Sequence, residues 1–159
     1  MFTHLHLHTE YSLLDATTRL PDLIEKLKTS GMKSCAITDH GNMYGVFKFA
    51  NMMKEEGLKP ILGCEMYIAP REMYKKEHGI DNNYFHIVLL AKNQTGYKNL
   101  MKIVSVGHME GFYYKPRIDF ETLSQYTEGI IALSACLAGP ISRPLMENNY
   151  DKALEAAKK

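Results

Sequence analysis

The chain has 159 residues, 45% hydrophobic and 23% charged, with a net charge of +1. That balance suits one globular domain, and the overall charge demands neither nucleic acid nor an acidic partner, so any such binding must come from a local patch. Cys35, Cys64 and Cys136 form no CxxC pair, which argues against a disulfide scaffold or a zinc ribbon and fits a reducing, cytoplasmic compartment; no apolar run approaches the ~20 residues of a membrane span, and no basic-then-apolar signal sequence opens the chain.

Residues 2–8 read as a strand in which His4, His6 and His8 alternate with Leu5 and Leu7. On a strand those three imidazoles share one face, and imidazole is the commonest metal-binding side chain. The plain alternative is a solvated edge strand or the stub of a purification tag, although a tag rarely alternates with leucine. Leu20, Leu23, Ile24 and Leu27 fall at helical spacing, with Pro21 suited to a first turn and Gly31 to a stop. Residues 34–38 form a short apolar strand. Val46, Phe47, Phe49, Ala50 and Met53 mark a second helix that closes near Gly57. Residues 60–69 read as a third strand, 70–83 as a polar loop and 84–91 as a fourth strand. Tyr97, Leu100, Met101 and Val104 mark a third helix, and 111–119 is a turn-rich, basic and aromatic link. Asp119 suits the cap of a short helix carrying Phe120 and Leu123. Residues 129–134 make a fifth strand, and 141–146 and 151–159 are helical.

This alternation implies an α/β fold built of βαβ units on a largely parallel sheet, either a barrel or a doubly wound sheet. Five strands do not complete a typical parallel barrel, and the chain stops in a charged helix, so a fragment of a longer protein is expected. In such folds the site lies at the carboxyl ends of the strands. His6 and His8 end the first strand, Asp39 and His40 end the second ahead of Gly41, Glu65 lies in the third, and Cys136 follows the fifth. Asp15 sits in the loop after the first strand. His86 is an exception near the start of the fourth, so either that strand is shifted or His86 faces the interior.

Each residue alone has a plain reading. Asp39 or Asn42 caps the Phe47 helix, Asp15 caps or turns, His86 is a core histidine, Cys136 is a small buried hydrophobe, and His78 and His108 are surface residues. Glu65 is a costly buried carboxylate unless paired or metal-bound. Together, the imidazole, carboxylate and thiol groups suit zinc, manganese or iron better than calcium or magnesium alone. Seven candidates exceed one ion's need, so two or three clustered ions are implied, with Glu65 as a bridge. Such clusters generate hydroxide at neutral pH and stabilise both reacting oxygens of a phosphoester, which points to phosphomonoester or phosphodiester hydrolysis. No P-loop, GxGxxG or Ser-His-Asp arrangement supports another chemistry.

The run from His6 to Asp15 resembles the first motif of the PHP (polymerase and histidinol phosphatase) domain. The resemblance continues through Ile37-Thr38-Asp39-His40-Gly41, Pro60 to Glu65, His86 to Asn93, Gly96-Tyr97, Asn99-Leu100, Lys115 to Asp119 and Leu133 to Gly139. In detail it is similar to the form found at the amino terminus of bacterial DNA polymerase III alpha subunits. The resemblance implies a distorted (β/α)7 barrel of which residues 1–159 hold about five of seven strands, with the remaining strands and any polymerase domains absent. It implies a trinuclear site: His6, His8 and Glu65 on one ion, Asp15 and His40 on a second, and Glu65, His86 and Cys136 on a third. Asp39 would orient His40 from behind, while His4 matches no ligand position.

Ala16 stands where the family commonly has glycine, Pro140 where it often has glutamate, and its last motif, Asp-x-His, would lie beyond Lys159. The implied cofactors are up to three divalent ions (zinc, manganese, iron or magnesium). The implied activity is 3′–5′ exonucleolytic proofreading within a DNA-directed DNA polymerase, with a metal-bound water and no side chain as the nucleophile. A metal-braced structural platform and a free-standing histidinol-phosphate-type phosphatase are the alternatives. The implied partners are a DNA primer 3′ end and other replicase subunits, with no membrane. Lys115 and Arg117 are candidates to contact phosphate, and Tyr113 and Tyr114 to stack on bases.

Overall fold

Leu20, Leu23, Ile24 and Leu27 are buried along one face of α1 (Leu20–Thr29), which has Pro21 in its first turn. The chain leaves α1 through Gly31 at φ +69°, a left-handed conformation in which glycine carries no Cβ penalty. The computed structural model describes residues 2–159. After α1 come β1 (Ser34–Ile37), α2 (Val46–Glu55), β2 (Lys59–Ile68) and β3 (Phe85–Ala91). Then follow α3 (Gln94–Met109), β4 (Arg117–Ile118), α4 (Phe120–Ser124), β5 (Ile130–Leu133), α5 (Ser142–Met146) and α6 (Tyr150–Ala157). Asp119 caps α4 as its sequence position predicts, accepting from Thr122 N. Among the described residues no helix is long and apolar enough to cross a membrane.

The fold is α/β, but the sheet is mixed rather than largely parallel. β1 runs parallel to β2, from Ser34 opposite Lys59 to Ile37 opposite Leu62. β3 is antiparallel to β2, and β5 is antiparallel to β3. The two-residue β4, which lies inside the link read as irregular, pairs in parallel with Tyr67 and Ile68. Because those residues also pair with β3, β4 occupies the β2 edge that β1 serves further back. The physical reason for the antiparallel return is the connection. A parallel crossover normally carries a helix, whereas the segment between β2 and β3 has none and is folded down by Arg71, whose guanidinium grips Asp81 at 2.9 and 2.6 Å. An apolar run does not encode its own direction.

Residues 2–8 also depart from the expected strand. They run beside β1, with Ala36 N donating to His4 O and Thr38 N to Leu7 O. They bend at Leu5 and His6, so only a single bridge, His4 to Cys35, is formed. Leu7 packs against the α1–β1–α2 core while Leu5 is exposed.

Alternation along β2 positions the site. Cys64, Met66 and Ile68 pack with Leu89, Leu100 and Ile103 under α3. Glu65 and Tyr67 therefore point to the opposite face. Below Glu65 that face is apolar, with Ala36, Val88 and Leu90 forming a small buried cluster.

Candidate metal centre

Glu65 is 1% exposed and stands among four imidazoles. Its Oε2 faces His6 Nε2, in close contact, and His8 Nε2 at 3.7 Å. Its Oε1 faces His40 Nδ1 and His86 Nδ1, each at 2.8 Å. The ligand atoms form two compact sets sharing this carboxylate: His6, His8 and Glu65, and His40, Glu65 and His86. Glu65 is the one residue common to both sets.

Each side chain arrives by a traceable local cause. β1 and β2 are bridged beyond their regular ladder at His40 and Glu65, with Gly41 N donating to Glu65 O at 2.8 Å and Glu65 N to Asp39 O at 3.1 Å. Gly41 turns at φ +61°, and a Cβ there would sit 2.6 Å from Pro116 Cγ and 2.9 Å from Tyr67 Cε2. The puzzle of His86 is resolved by direction: β3 is antiparallel, so its beginning lies at the rim where β2 ends, with His86 opposite Tyr67. Cys136 follows β5 in a turn that His86 N reaches by donating to Ala138 O at 3.1 Å. Its exposed thiol lies 3.8 Å from His86 Nδ1. Asp15 is mostly exposed and its Oδ2 contacts His40 Nε2. Asp15 and Cys136 thus border the two compact sets without belonging to them.

Asp39 reaches the His40 backbone only through a serine. The buried Asp39 carboxylate accepts from Thr9 N at 2.6 Å, Thr9 Oγ1 at 2.7 Å and Ser12 Oγ at 2.7 Å. Ser12 Oγ in turn accepts from His40 N at 3.1 Å. Neither Asp39 nor Asn42 caps α2, which has no side-chain cap. Asn42 instead donates to the carbonyls of Tyr11 and His40.

These donors fit divalent metals. His6 Nε2, His8 Nδ1, His40 Nδ1 and both Glu65 oxygens are buried with no well-aligned hydrogen bond among the described residues, and all of them but His8 Nδ1 face only one another or another imidazole of the cluster. Buried polar atoms crowded together with such poor hydrogen-bond geometry are costly unless something between them satisfies them, and a mixed nitrogen and carboxylate set suits zinc, manganese or iron. Burial acts to raise the Glu65 carboxyl, but His40, His6 and His86 outweigh it and hold the group well below the usual carboxylate range. Burial and the neighbouring His40 lower the His8 imidazole. For His40, burial is outweighed by the Glu65 and Asp15 carboxylates, which raise it.

A cavity of about 540 Å³ opens beside this centre, with Asp15, His40, His86 and Lys115 in its lining. Lys115 is exposed, its Nζ 5.6 Å from the centroid of the Tyr67 ring. Arg117 is not available to phosphate. It is fully buried, donating to the carbonyls of Gly111, Asp81, Met73 and Lys75, so the expectation for it is corrected to a scaffold role. A guanidinium supplies five donors in a rigid fork, which suits it to gather a loop. Thr9, Ser12 and His108 have roles here that their places in the sequence do not announce, Thr9 and Ser12 within the first motif and His108 on a helix. His108 Nε2 lies 2.8 Å from Gly41 O and its side chain lines the cavity. Nothing in the spacing of α3 singles it out.

The sequence profile of the PHP domain matches residues 4–159, and the chain belongs to that family. It is similar to DNA polymerase III subunit alpha of Treponema pallidum, 46% identical over 159 residues, which is 99% of this chain and 14% of that one. It is similar to the same subunit of Borreliella burgdorferi, 46% identical over 153 residues, 96% of this chain and 13% of that one. For Helicobacter pylori strain 26695 the figures are 49% over 148 residues, 93% and 12%. The chain therefore spans only about one-seventh of the length of these relatives. Among solved structures, an amidohydrolase from Chromobacterium violaceum aligns with 65% of the chain and 34% of its own at 20% identity and TM-score 0.45.

Proposed function

We propose that the chain is the PHP domain of a bacterial DNA polymerase III alpha subunit and that, with divalent ions bound, it hydrolyses phosphodiester bonds at a DNA 3′ end. The carrying observation is the Glu65 carboxylate, each oxygen turned to a different pair of imidazoles, beside an open cavity. A site that only braced the fold would need no such opening. Residues 1–159 are then part of a (β/α)7 barrel, with polymerisation residing elsewhere in such a subunit. Working partners are a primer 3′ end and other replicase subunits, in the cytoplasm.

His6, His8 and Glu65 would hold one ion and His40, Glu65 and His86 another. Asp15, on the far side of His40, and Cys136, beside His86, would complete the set for up to three ions. When bound, these ions supply Lewis acidity that polarises a phosphoryl oxygen and offsets charge on the leaving oxygen. The chain's residues do the rest. Asp39 and Ser12 hold the His40 backbone in place. Lys115 offers the cavity a cation for the non-bridging phosphate oxygens. The buried Glu65 stays ionised among its imidazoles, so it keeps both oxygens free to bind cations.

A metal-braced platform is the second reading, favoured by the way the cluster ties residues 4–8 and the ends of β1, β2 and β3 together. Metal analysis paired with hydrolysis of a 3′-labelled oligonucleotide separates the two. Cleavage that disappears on chelation supports the enzyme. Bound metal and a melting temperature that falls on chelation, with no cleavage, support the platform. The relatives named as polymerase subunits weigh against a free-standing histidinol-phosphate-type phosphatase.

A further inference from the structure

The lining of the cavity beside the metal centre changes character toward its mouth. Tyr44, Phe112 and Tyr114 line it with side chains 68%, 49% and 58% exposed. They come from separate stretches, Tyr44 from the turn before α2 and the others from the link between α3 and β4. Large aromatic surface left open at the edge of a site marks a contact surface. Lys115 is the one lysine or arginine in the lining, and it forms no ion pair among the described residues. A small, highly charged metabolite would find few partners here; a flat ring attached to a phosphodiester would find both a stacking surface and a cation.

The two adjacent tyrosines have separate fates. Tyr113 is taken up by Arg117, whose guanidinium lies 5.3 Å from its ring centroid. Tyr114 is turned out at φ +59°, and Leu14, also in the lining, is fully exposed at φ +66°. Left-handed backbone at bulky residues persists only where the surroundings impose it, and it gathers at ligand sites. Here the imposing contacts are Arg117 Nε donating to Gly111 O at 3.0 Å and Tyr113 N donating to Lys115 O at 3.1 Å.

We infer that Tyr44, Phe112 and Tyr114 form a nucleobase subsite that receives the unpaired bases of a 3′ end by stacking, with Lys115 on an adjacent phosphate. The inference rests on the phosphodiesterase reading above and adds the substrate's base to it. Every base has a π-face, so such a subsite accepts all four and favours ends already free of their duplex.

The test uses the zinc- or manganese-loaded protein and single strands ending either in thymidines or in abasic tetrahydrofuran residues. Wild-type protein cleaves the base-bearing end faster. Tyr44→Ala and Tyr114→Ala each lower kcat/KM on that end about tenfold and leave the abasic end unchanged, while Tyr114→Phe keeps the wild-type preference. Equal cleavage of both ends by the wild type overturns the subsite. Saturation-transfer NMR on the zinc form, with thymidine 5′-monophosphate against 2-deoxyribose 5-phosphate, reads the same contact without turnover. Saturation of the thymine protons that is lost in Tyr44→Ala supports the subsite. Its absence in the wild type overturns it and is the result expected if the aromatic rim packs on a protein segment. If no strand is cleaved yet thymine contact persists and depends on Tyr44 and Tyr114, the subsite stands and the hydrolytic reading falls.

Discussion

Glu65 and His86 are diagonal neighbours across the antiparallel β2–β3 ladder. Glu65 pairs with Val88 and Tyr67 with His86, and Glu65 Oε1 lies 2.8 Å from His86 Nδ1. Residues two apart on one strand share a face, so one register places a carboxylate, an imidazole and the Tyr67 ring together. The Tyr67 and His86 rings meet edge to face at 5.2 Å.

Because Glu65 serves both compact sets, Glu65→Ala should remove more metal than His8→Ala, which touches only one. Elemental analysis after dialysis checks this. Unchanged stoichiometry in Glu65→Ala would count decisively against the ligand assignment.

Asp39→Ala strips the acceptor from three buried donors at Thr9 and Ser12. Hydrogen bonds to charged groups contribute about 1.5–3 kcal/mol each and do not add fully, so a loss of about 3 kcal/mol is expected in urea denaturation. His40 should also bind metal less well, since Ser12 no longer fixes its backbone. A loss under about 1 kcal/mol would mean that the loop is held by other contacts.

Gly41→Ala places a Cβ against Pro116 and Tyr67 at a backbone angle that suits glycine. The left-handed conformation alone costs of order 1–3 kcal/mol, and Pro116 has little freedom to yield. Unfolding at lower denaturant and weaker metal retention are both expected. Gly31→Ala, with open space around it, should cost less, and equal losses at the two positions would refute the crowding argument.

Arg117→Met should destabilise the protein by about 3 kcal/mol or more, because several buried carbonyls lose a charged donor. Its effect on DNA binding should not depend on salt. Lys115→Ala should do the reverse, lowering the slope of log affinity against log salt by about one with little change in stability. A reduced salt slope in Arg117→Met would reinstate it as a phosphate contact.

The metal-free protein should show two histidines displaced in opposite directions, His8 titrating below the ordinary 6.5 and His40 above it. A raised imidazole stabilises the fold fully below pH 6.5, and that stabilisation fades as pH rises through the raised value. The lowered carboxyl of Glu65 stays ionised throughout that range. The stability gap between wild type and His40→Asn in chelator should therefore be widest near pH 6 and narrow toward pH 8. Metal affinity should move the other way, rising with pH as protons leave the imidazoles. Histidine NMR titration with parallel denaturation curves reads both, and a gap that widens with pH would sink the ion-pair account.

Local chemistry was legible from the chain alone. The spacing of Leu20, Leu23, Ile24 and Leu27, the stop at Gly31 and the cap at Asp119 depend on neighbours within a turn or two, and each is present. The ordered motifs also carried the family, because His6, His8, His40, Glu65 and His86 keep recognisable short-range settings.

Tertiary structure decided the rest. Strand direction depends on how a connection folds, so the antiparallel course of β3 and the position of His86 at the rim had no local signature. Arg117 and Lys115 look alike in sequence. Only packing shows one buried under four carbonyls and the other open to a cavity, since a long side chain's burial is set by whichever distant segment closes over it. His108 reaches the site for the same reason: α3 crosses the Gly41 turn, a meeting of residues 67 positions apart that no local pattern encodes.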